Sequence, residues 1–289
     1  MYRTSRVDRH PGYRMLREHH PESASIAVPR RATITRTRKL AFMIPRPIIL
    51  YLCLLLFACG GDTPSISGPD GTRLTLLSNH SLSIGEPSGL ALDASRSSLW
   101  TVGNDPQRIY RLSLDGQIQN ILDYEGDDIE GIAADPLDGT LWIVEEDRRE
   151  VVHLNSSGRV LERHQLDLTG EQNSGLEGIC LDPDGATYVL NEKNPGLFIS
   201  LNADLSMKSQ RQLDFAKDFS GLSCDSNRSA FWVLSDQSRT LFLWSPEEGV
   251  LGGYALPFTK AEGVAVDPVD DLVYIASESE SMLYVYRIE

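Results

Sequence analysis

The chain has 289 residues, 41% of them hydrophobic, which is enough to bury a core and excludes an intrinsically disordered or fibrous protein. Residues 1–58 carry 11 Lys and Arg against 3 Asp and Glu, whereas residues 59–289 carry 16 basic and 38 acidic side chains. Because so acidic a body repels nucleic acid and anionic lipid head groups, we expect no nucleic-acid partner and regard cations as its natural ligands.

The N-terminal region has the pattern of a secretion signal. Residues 48–58 read IILYLCLLLFA, an apolar run shorter than the ~20 residues of a membrane span and typical of the apolar segment of a signal peptide. We therefore predict a signal peptide over residues 43–58. The Arg-rich residues 1–42 are predicted to be a disordered basic leader, which either extends the protein or lies upstream of a true start at Met43.

The end of this run resembles the lipobox of bacterial lipoproteins. Leu56, Phe57 and Ala58 precede Cys59, whose thiol is predicted to carry the lipid. A plain secreted protein with a chance cysteine is the alternative. Residues 59–71, rich in Gly, Ser and Pro, are predicted to be a flexible tether with a reach of ~20 Å. We therefore expect a lipoprotein of the bacterial cell envelope that faces the periplasm or the exterior.

From Glu86 onward, one sequence pattern recurs five times. Its most regular feature is a glycine that follows Ser or Glu, as in PSGLALD, IEGIAAD and AEGVAVD. These anchor glycines are Gly89, Gly131, Gly178, Gly221 and Gly263, spaced by 42, 47, 43 and 42 residues. A period of this length, with several short strands in each unit, is typical of the blades of a β-propeller.

Each repeat is predicted to form four antiparallel strands. The first strand follows the anchor glycine with alternating large and small apolar residues, and the second opens with an aromatic residue that we assign to the core between blades. An Asp stands four residues after every anchor glycine, where an Asx-turn explains it better than ligand binding does. These residues are Asp93, Asp135, Asp182, Asp225 and Asp267.

The last repeat ends at Glu289 without a fourth strand. The segment from Arg73 to Ile84, upstream of the first anchor glycine, has the apolar spacing of a fourth strand but no blade of its own. We therefore predict an all-β, five-bladed β-propeller of four-stranded antiparallel blades over residues 72–289, closed by this N-terminal strand. We expect the protein to be a monomer.

Two columns of polar residues are predicted to meet on one face of the propeller, here called the mouth. The first column holds the residues directly before the anchor glycines, and the second holds those four positions after the aromatic residues. In an up-and-down blade, the start of the first strand and the end of the second lie on the same face. The first column is Ser88, Glu130, Glu177, Ser220 and Glu262, and the second is Asn104, Glu146, Glu192, Asp236 and Glu278.

The carboxylates of the two columns indicate a cation site. Like charges about 5 Å apart repel by about 3 kcal/mol at an effective dielectric of 20, so the cluster needs a cation, protonation or a solvated spread. Each carboxylate alone has an alternative role, the capping of backbone amides at strand ends. Oxygen ligands without His or Cys select a hard ion, so we predict bound Ca²⁺. Its predicted ligands are Glu130, Glu177, Glu262, Glu146, Glu192, Asp236 and Glu278.

The propeller region contains two cysteines, Cys180 and Cys224, which fall in neighbouring repeats. They stand at offsets of opposite pleat parity from their anchor glycines, so we expect no disulfide between them. Both are predicted to act as small buried hydrophobic residues.

The ordered series of repeats resembles that of the SdiA-regulated, YjiK-like proteins. It reads EPSGL, IEGIA with VEED, LEGIC with NEK, FSGL with LSDQ, and AEGVA with SES, over about Arg73 to Glu289. The resemblance implies a five-bladed propeller that is membrane-associated or exported, binds calcium through the carboxylates named above and has no established activity. A lipobox here replaces the N-terminal membrane anchor of some relatives.

Two functions are consistent with these features. The first is a calcium-binding, lipid-anchored module that binds or scaffolds an unknown protein or small molecule at the cell envelope. The second is a calcium-dependent hydrolase of phosphoesterase or lactonase type, because an ion at such a mouth can polarise an ester. The sequence favours the first: His80, His153 and His164 are predicted to lie away from the mouth, and no GxSxG or Ser-His-Asp spacing is present.

Overall fold

The computed structural model describes residues 64–68, 71–170 and 174–289. The predicted leader, the signal peptide, Cys59 and part of the tether lie outside the described residues. The regular structure within the described ranges is entirely β-strand, in five antiparallel sheets. These ranges therefore hold no helix with the length and apolar character of a membrane span.

Each sheet is one blade, and the strands are labelled in chain order. Blade 1 contains β3 (Gly85–Leu92), β4 (Ser98–Asp105), β5 (Gln107–Ser113) and β6 (Ile118–Ile121). Blade 2 contains β7 (Ile129–Ala134), β8 (Leu141–Glu145), β9 (Glu150–Leu154) and β10 (Val160–Gln165). Blade 3 contains β11 (Leu176–Leu181), β12 (Thr187–Asn191), β13 (Leu197–Leu201) and β14 (Met207–Gln212). Blade 4 contains β15 (Gly221–Asp225), β16 (Ala230–Ser235), β17 (Thr240–Ser245) and β18 (Gly249–Ala255). Blade 5 contains β19 (Ala261–Asp267), β20 (Leu272–Ser277) and β21 (Met282–Ile288), completed by β2 (Arg73–Ser81) and β1 (Ser65–Ser67).

The first strands of the five blades close a ring, which confirms the predicted five-bladed propeller. β3 contacts β7, β7 contacts β11, and the series continues through β15 and β19 back to β3. The anchor glycines stand where these strands approach most closely. A Cβ on Gly89 would lie 2.6 Å from the Glu130 carbonyl oxygen, and one on Gly131 would lie 2.7 Å from that of Glu177. Because no side chain fits at this distance, the glycines allow the residues before them to converge around one axis.

The N-terminal strand closes the ring, as predicted. β2 pairs with β21, from Leu74 opposite Ile288 to Ser81 opposite Met282. Leu74 is fully buried and belongs to the core between blades 4 and 5. Blade 5 therefore joins the first and last parts of the propeller sequence.

The predicted flexible tether over residues 59–71 needs correction at residues 65–67. These residues form β1, which pairs with the start of β2, Ser67 opposite Arg73. β2 would otherwise present a free edge, whose unpaired backbone groups accept another strand. Ile66 also packs against the core between blades 4 and 5. The packing of Ile66 and the free edge of β2 therefore order this segment, although its composition is that of a linker.

The turns and the aromatic residues have the structural roles that the repeats predicted. Four of the five turn residues accept backbone N–H groups of their own turns, namely Asp93, Asp135, Asp225 and Asp267. Of the aromatic residues that open the second strands, Trp232 has no exposed surface, and Trp100 and Tyr274 are also buried. The turn Asp residues and the aromatic residues therefore serve the turns and the core between blades.

Cys180 and Cys224 form a disulfide, so the prediction of two unpaired cysteines is wrong. Their Cα atoms are 5.7 Å apart, on β11 and β15 of neighbouring blades. The two cysteines meet because the blades stack face against face. The front of one sheet meets the back of the next, so side chains of opposite parity are the ones that meet. Cys180 accordingly packs with Phe231 and Val233 of blade 4.

Candidate metal centre

The mouth is a cavity of about 320 Å³ on the face where the first strands begin. Its lining includes Ser88, Asn104 and Ser220 of the two columns. It also includes six of the seven predicted carboxylates: Glu130, Glu177, Glu192, Asp236, Glu262 and Glu278. Glu146, the seventh, lies beside the cavity within reach of Glu130 and Glu177. The structure thus brings both columns together, because every blade presents the same two strand ends on this face.

Several carboxylate oxygens of the mouth are close enough to share one ion. Single oxygens of Asp128, Glu130 and Glu146 lie within 4.8 Å of one another, and so do single oxygens of Glu146, Glu177 and Glu192. Two oxygens that bind the same Ca²⁺ at about 2.3–2.6 Å are separated by at most about 5 Å. Both groups meet this limit, and Glu146 belongs to both.

Glu177 is the most deeply buried of the seven predicted carboxylates. It is 9% exposed, and no hydrogen-bond donor from the described residues contacts its side chain. Burial raises the pKa of Glu177 well above its ordinary value, and the charges of neighbouring glutamates, Glu130 foremost, raise it further. A buried carboxylate in these surroundings requires either a proton or a cation to neutralise it.

Glu130 and Glu146 are partly buried and hydrogen-bonded. Glu130 accepts hydrogen bonds from the Ser88 hydroxyl at 2.7 Å and from Asn104 Nδ2 at 2.8 Å. Burial nevertheless raises the pKa of Glu130 to about 7. Burial also raises the pKa of Glu146 to about 7, although the Gly175 N–H donates to this carboxylate at 2.9 Å. Desolvation therefore outweighs the hydrogen bonds at both positions.

Two ammonium groups enter the mouth from loops. Lys260 Nζ lies 3.3 Å from a Glu278 oxygen and 3.5 Å from a Glu262 oxygen, and Lys193 forms an ion pair with Glu192. Burial raises the pKa of Glu262 to about 8, and the charge of Lys260 opposes that shift. The mouth therefore has cations of its own beside Glu192, Glu262 and Glu278.

Two carboxylates of the second column also connect neighbouring blades. Glu146 of blade 2 accepts the N–H of Gly175, just before β11, and Asp236 of blade 4 accepts the N–H of Lys260, just before β19, at 2.7 Å. The capping role considered from the sequence is therefore present at these two positions. A carboxylate has about four lone-pair sites, so capping through one oxygen leaves the other available to a cation.

Asp128 and Lys260 are residues of the mouth that lie outside the predicted ligand set. Each stands two residues before a first-column residue, in the left-handed backbone region, with φ of 60° and 52° respectively. The same position in the other repeats holds Glu86, Gly175 and Asp218, so three of the five residues in this third column are acidic. The positional signal was present, but the glycine and the lysine at the other two positions concealed it.

Comparisons with known proteins agree with this architecture. Glutaminyl cyclase from Myxococcus xanthus is similar in fold, with a TM-score of 0.59 and 14% identity over 75% of this chain and 96% of that chain. A gluconolactonase from Xanthomonas campestris has a TM-score of 0.52 and 14% identity over 79% of this chain and 95% of that chain. At such identity the likeness concerns the fold alone. The family model of the SdiA-regulated proteins matches residues 80–287, nearly the whole propeller. This match confirms the resemblance carried by the repeats: the chain belongs to the SdiA-regulated family.

Proposed function

We propose that this protein is a Ca²⁺-binding propeller that acts as a binding or scaffold module, held by lipid at the bacterial cell envelope. The observation that carries the proposal is Glu177, a buried carboxylate that accepts no hydrogen bond from the described residues and lies among carboxylates close enough to share an ion. A bound ion would neutralise these groups and hold adjacent blades in a fixed arrangement around the mouth.

The donor set of the mouth fits Ca²⁺. The column residues that line it offer only oxygen ligands: carboxylates, the Asn104 amide and the hydroxyls of Ser88 and Ser220. Zn²⁺ and the other soft or borderline ions prefer nitrogen and sulfur. Mg²⁺ requires a near-ideal octahedron at about 2.1 Å, whereas Ca²⁺ accepts six to eight oxygens in a looser geometry. Long Glu side chains from different blades supply this looser coordination geometry.

The two lysines of the mouth favour a binding module over a hydrolase. An enzyme that acts on phosphate esters needs cationic groups free to hold the anionic substrate. Lys193 and Lys260 are instead paired with carboxylates of the mouth. Binding is therefore the primary proposal, and hydrolysis of a phosphate ester or lactone is the alternative.

Removal of the ion tests the proposal. A ligand that binds only the native state stabilises it by RT ln(1 + [L]/Kd), about 2.7 kcal/mol at a hundredfold excess over Kd. In a domain of this size, about 1 kcal/mol shifts the melting temperature by ~2–4 °C. Excess EDTA should therefore lower the melting temperature by several degrees, and Ca²⁺ should restore it better than Mg²⁺ does.

Two sets of substitutions locate the effect. Glu130→Gln together with Glu177→Gln preserves shape but removes two charges, so this variant should respond less to Ca²⁺ and EDTA. Asp182→Asn, in a turn outside the mouth, is the matched control and should respond like the wild type. If EDTA leaves the melting temperature unchanged and calorimetry detects no Ca²⁺ binding at millimolar concentration, the mouth is a solvated charge cluster and the proposal is wrong.

The lipid anchor is proposed at Cys59 because an apolar run and a lipobox-like LFA precede it. The disulfide between Cys180 and Cys224 supports export, since such bonds persist in oxidising compartments. Mass spectrometry of the membrane fraction should find a diacylated N-terminal cysteine, and Cys59→Ser should release the protein into the soluble fraction. A mature N-terminus at another residue, or membrane association that survives Cys59→Ser, would contradict the anchor.

A further inference from the structure

The charges of the mouth are not neutralised evenly around the ring. On the side of blades 4 and 5, Lys260 pairs with both Glu278 and Glu262. Lys193 neutralises Glu192 at the end of blade 3's second strand. These two ammonium groups therefore occupy positions that would otherwise require free cations.

The side formed by blades 2 and 3 has one such group, Lys193, which pairs with Glu192. Within the described ranges, no basic side chain lies within 4.0 Å of the other four carboxylates there, which are Asp128, Glu130, Glu146 and Glu177. Arg148 is near in sequence, but it pairs with Asp127 and Glu145 instead. Four carboxylates thus share a small volume without an ion pair of their own, although the charge of Lys193 acts on Glu177.

Two unpartnered groups point to a ligand on this side. Glu177 is nine-tenths buried, lines the mouth and accepts no hydrogen bond from the described residues. The side-chain oxygen of Asn104 is also buried and has no partner in the described part of the chain. Nδ2 of the same amide donates to Glu130, so this free oxygen lies close to the same carboxylates. A hard cation satisfies a buried anion and a free amide oxygen at once.

We infer that Ca²⁺ binds off the propeller axis, between blades 2 and 3, with Glu146 at the centre of the site and Asp128 among its ligands, that Lys193 neutralises Glu192 at the edge of this site, and that Lys260 replaces a further ion on the side of blades 4 and 5. Glu146 is the residue that belongs to both groups of oxygens within 4.8 Å. The inference rests on the proposed function and adds three things to it: a position, a stoichiometry of one ion, and a ligand that lies outside both columns.

The position is tested by titrating Ca²⁺ into the metal-free mature protein in a calorimeter. Asp128→Asn removes one charge from the proposed site, and Asn tolerates the positive φ of residue 128. Glu278→Gln removes one charge from the opposite side of the same mouth. Asp128→Asn should weaken Ca²⁺ binding tenfold or more, whereas Glu278→Gln should weaken it less than threefold. Melting curves in EDTA check that both variants are folded.

The stoichiometry is tested with Lys260→Asn. The substitution removes the ammonium group, suits the positive φ of residue 260 and keeps the backbone N–H that donates to Asp236. Without its internal counter-ion, the group of Glu262, Glu278 and Asp236 should bind a second Ca²⁺, so the number of ions per chain should rise from one to two. An unchanged number would overturn the role assigned to the lysine.

The outcomes distinguish this inference from the proposed function. A wild-type protein that gives no heat of Ca²⁺ binding contradicts the proposed function itself. A wild-type protein that binds one ion, with Glu278→Gln losing as much affinity as Asp128→Asn, places the ion on the axis and overturns only the off-axis site. One ion in the wild type, a selective loss in Asp128→Asn and a second ion in Lys260→Asn support the inference.

Discussion

The carboxylates of the mouth make the metal-free protein sensitive to pH. Burial raises the pKa of Glu130 and Glu146 to about 7 and that of Glu262 to about 8, each from an ordinary value of 4.5. The folded state binds these protons more tightly than the unfolded state does. Protonation of the three glutamates therefore stabilises the folded state fully below their ordinary pKa. That contribution to stability is lost as the pH rises through the folded-state pKa. Stability should therefore fall between about pH 4.5 and pH 8.

We predict that the melting temperature in EDTA falls by several degrees between pH 5 and pH 8. One pKa unit corresponds to about 1.4 kcal/mol, so even one of these glutamates gives a measurable effect. The range starts at pH 5 because carboxylates with a lowered pKa, such as Asp93, stay ionised above it. Scanning calorimetry makes the measurement. Saturating Ca²⁺ should reduce the decline, because a bound ion keeps its ligands Glu130 and Glu146 deprotonated, whereas Glu262 lies outside the proposed site. A melting temperature that rises over this range in EDTA would contradict the assignment.

At the scale of the strands, recurrence made most of the fold and much of the site predictable. The anchor glycine, the turn Asp and the aromatic residue each occur once per blade, so each element is supported by four other copies. Side chains alternate along a strand, so a carboxylate in the register of a hydrophobic residue stands out as an exception. Glu146 and Glu278 stand out in this way, and the structure places both at the mouth face.

The features that the sequence did not reveal are not determined by the alternation of side chains along a single strand. Asp128 and Lys260 precede their strands with positive φ, so the directions of their side chains follow the turn and not the alternation. The disulfide depends on how two sheets stack, and β1 depends on the free edge of another strand. Each of these features requires the relative position of two elements, which no local pattern carries.

At the scale of the whole molecule, the ring is held closed by a strand from the start of the propeller sequence. β2 pairs with β21 along its length and places Leu74 in the core between blades 4 and 5. β1 adds only three residue pairs at the outer edge. Loss of β2 would therefore expose β21 as a free edge and open the ring at one blade, whereas loss of β1 would leave the four-stranded blade complete.

We predict that deletion of residues 73–81 destabilises the propeller strongly, whereas deletion of residues 60–71 lowers the melting temperature by only a few degrees. The first deletion removes Leu74, and loss of one buried leucine side chain alone costs about 2–5 kcal/mol. It also creates an edge that favours association. The second removes the packing of the half-buried Ile66, roughly 1 kcal/mol. Thermal melts and size-exclusion chromatography compare the two variants. Equal melting temperatures and equal elution volumes would mean that contacts among the first strands keep the ring closed without β2.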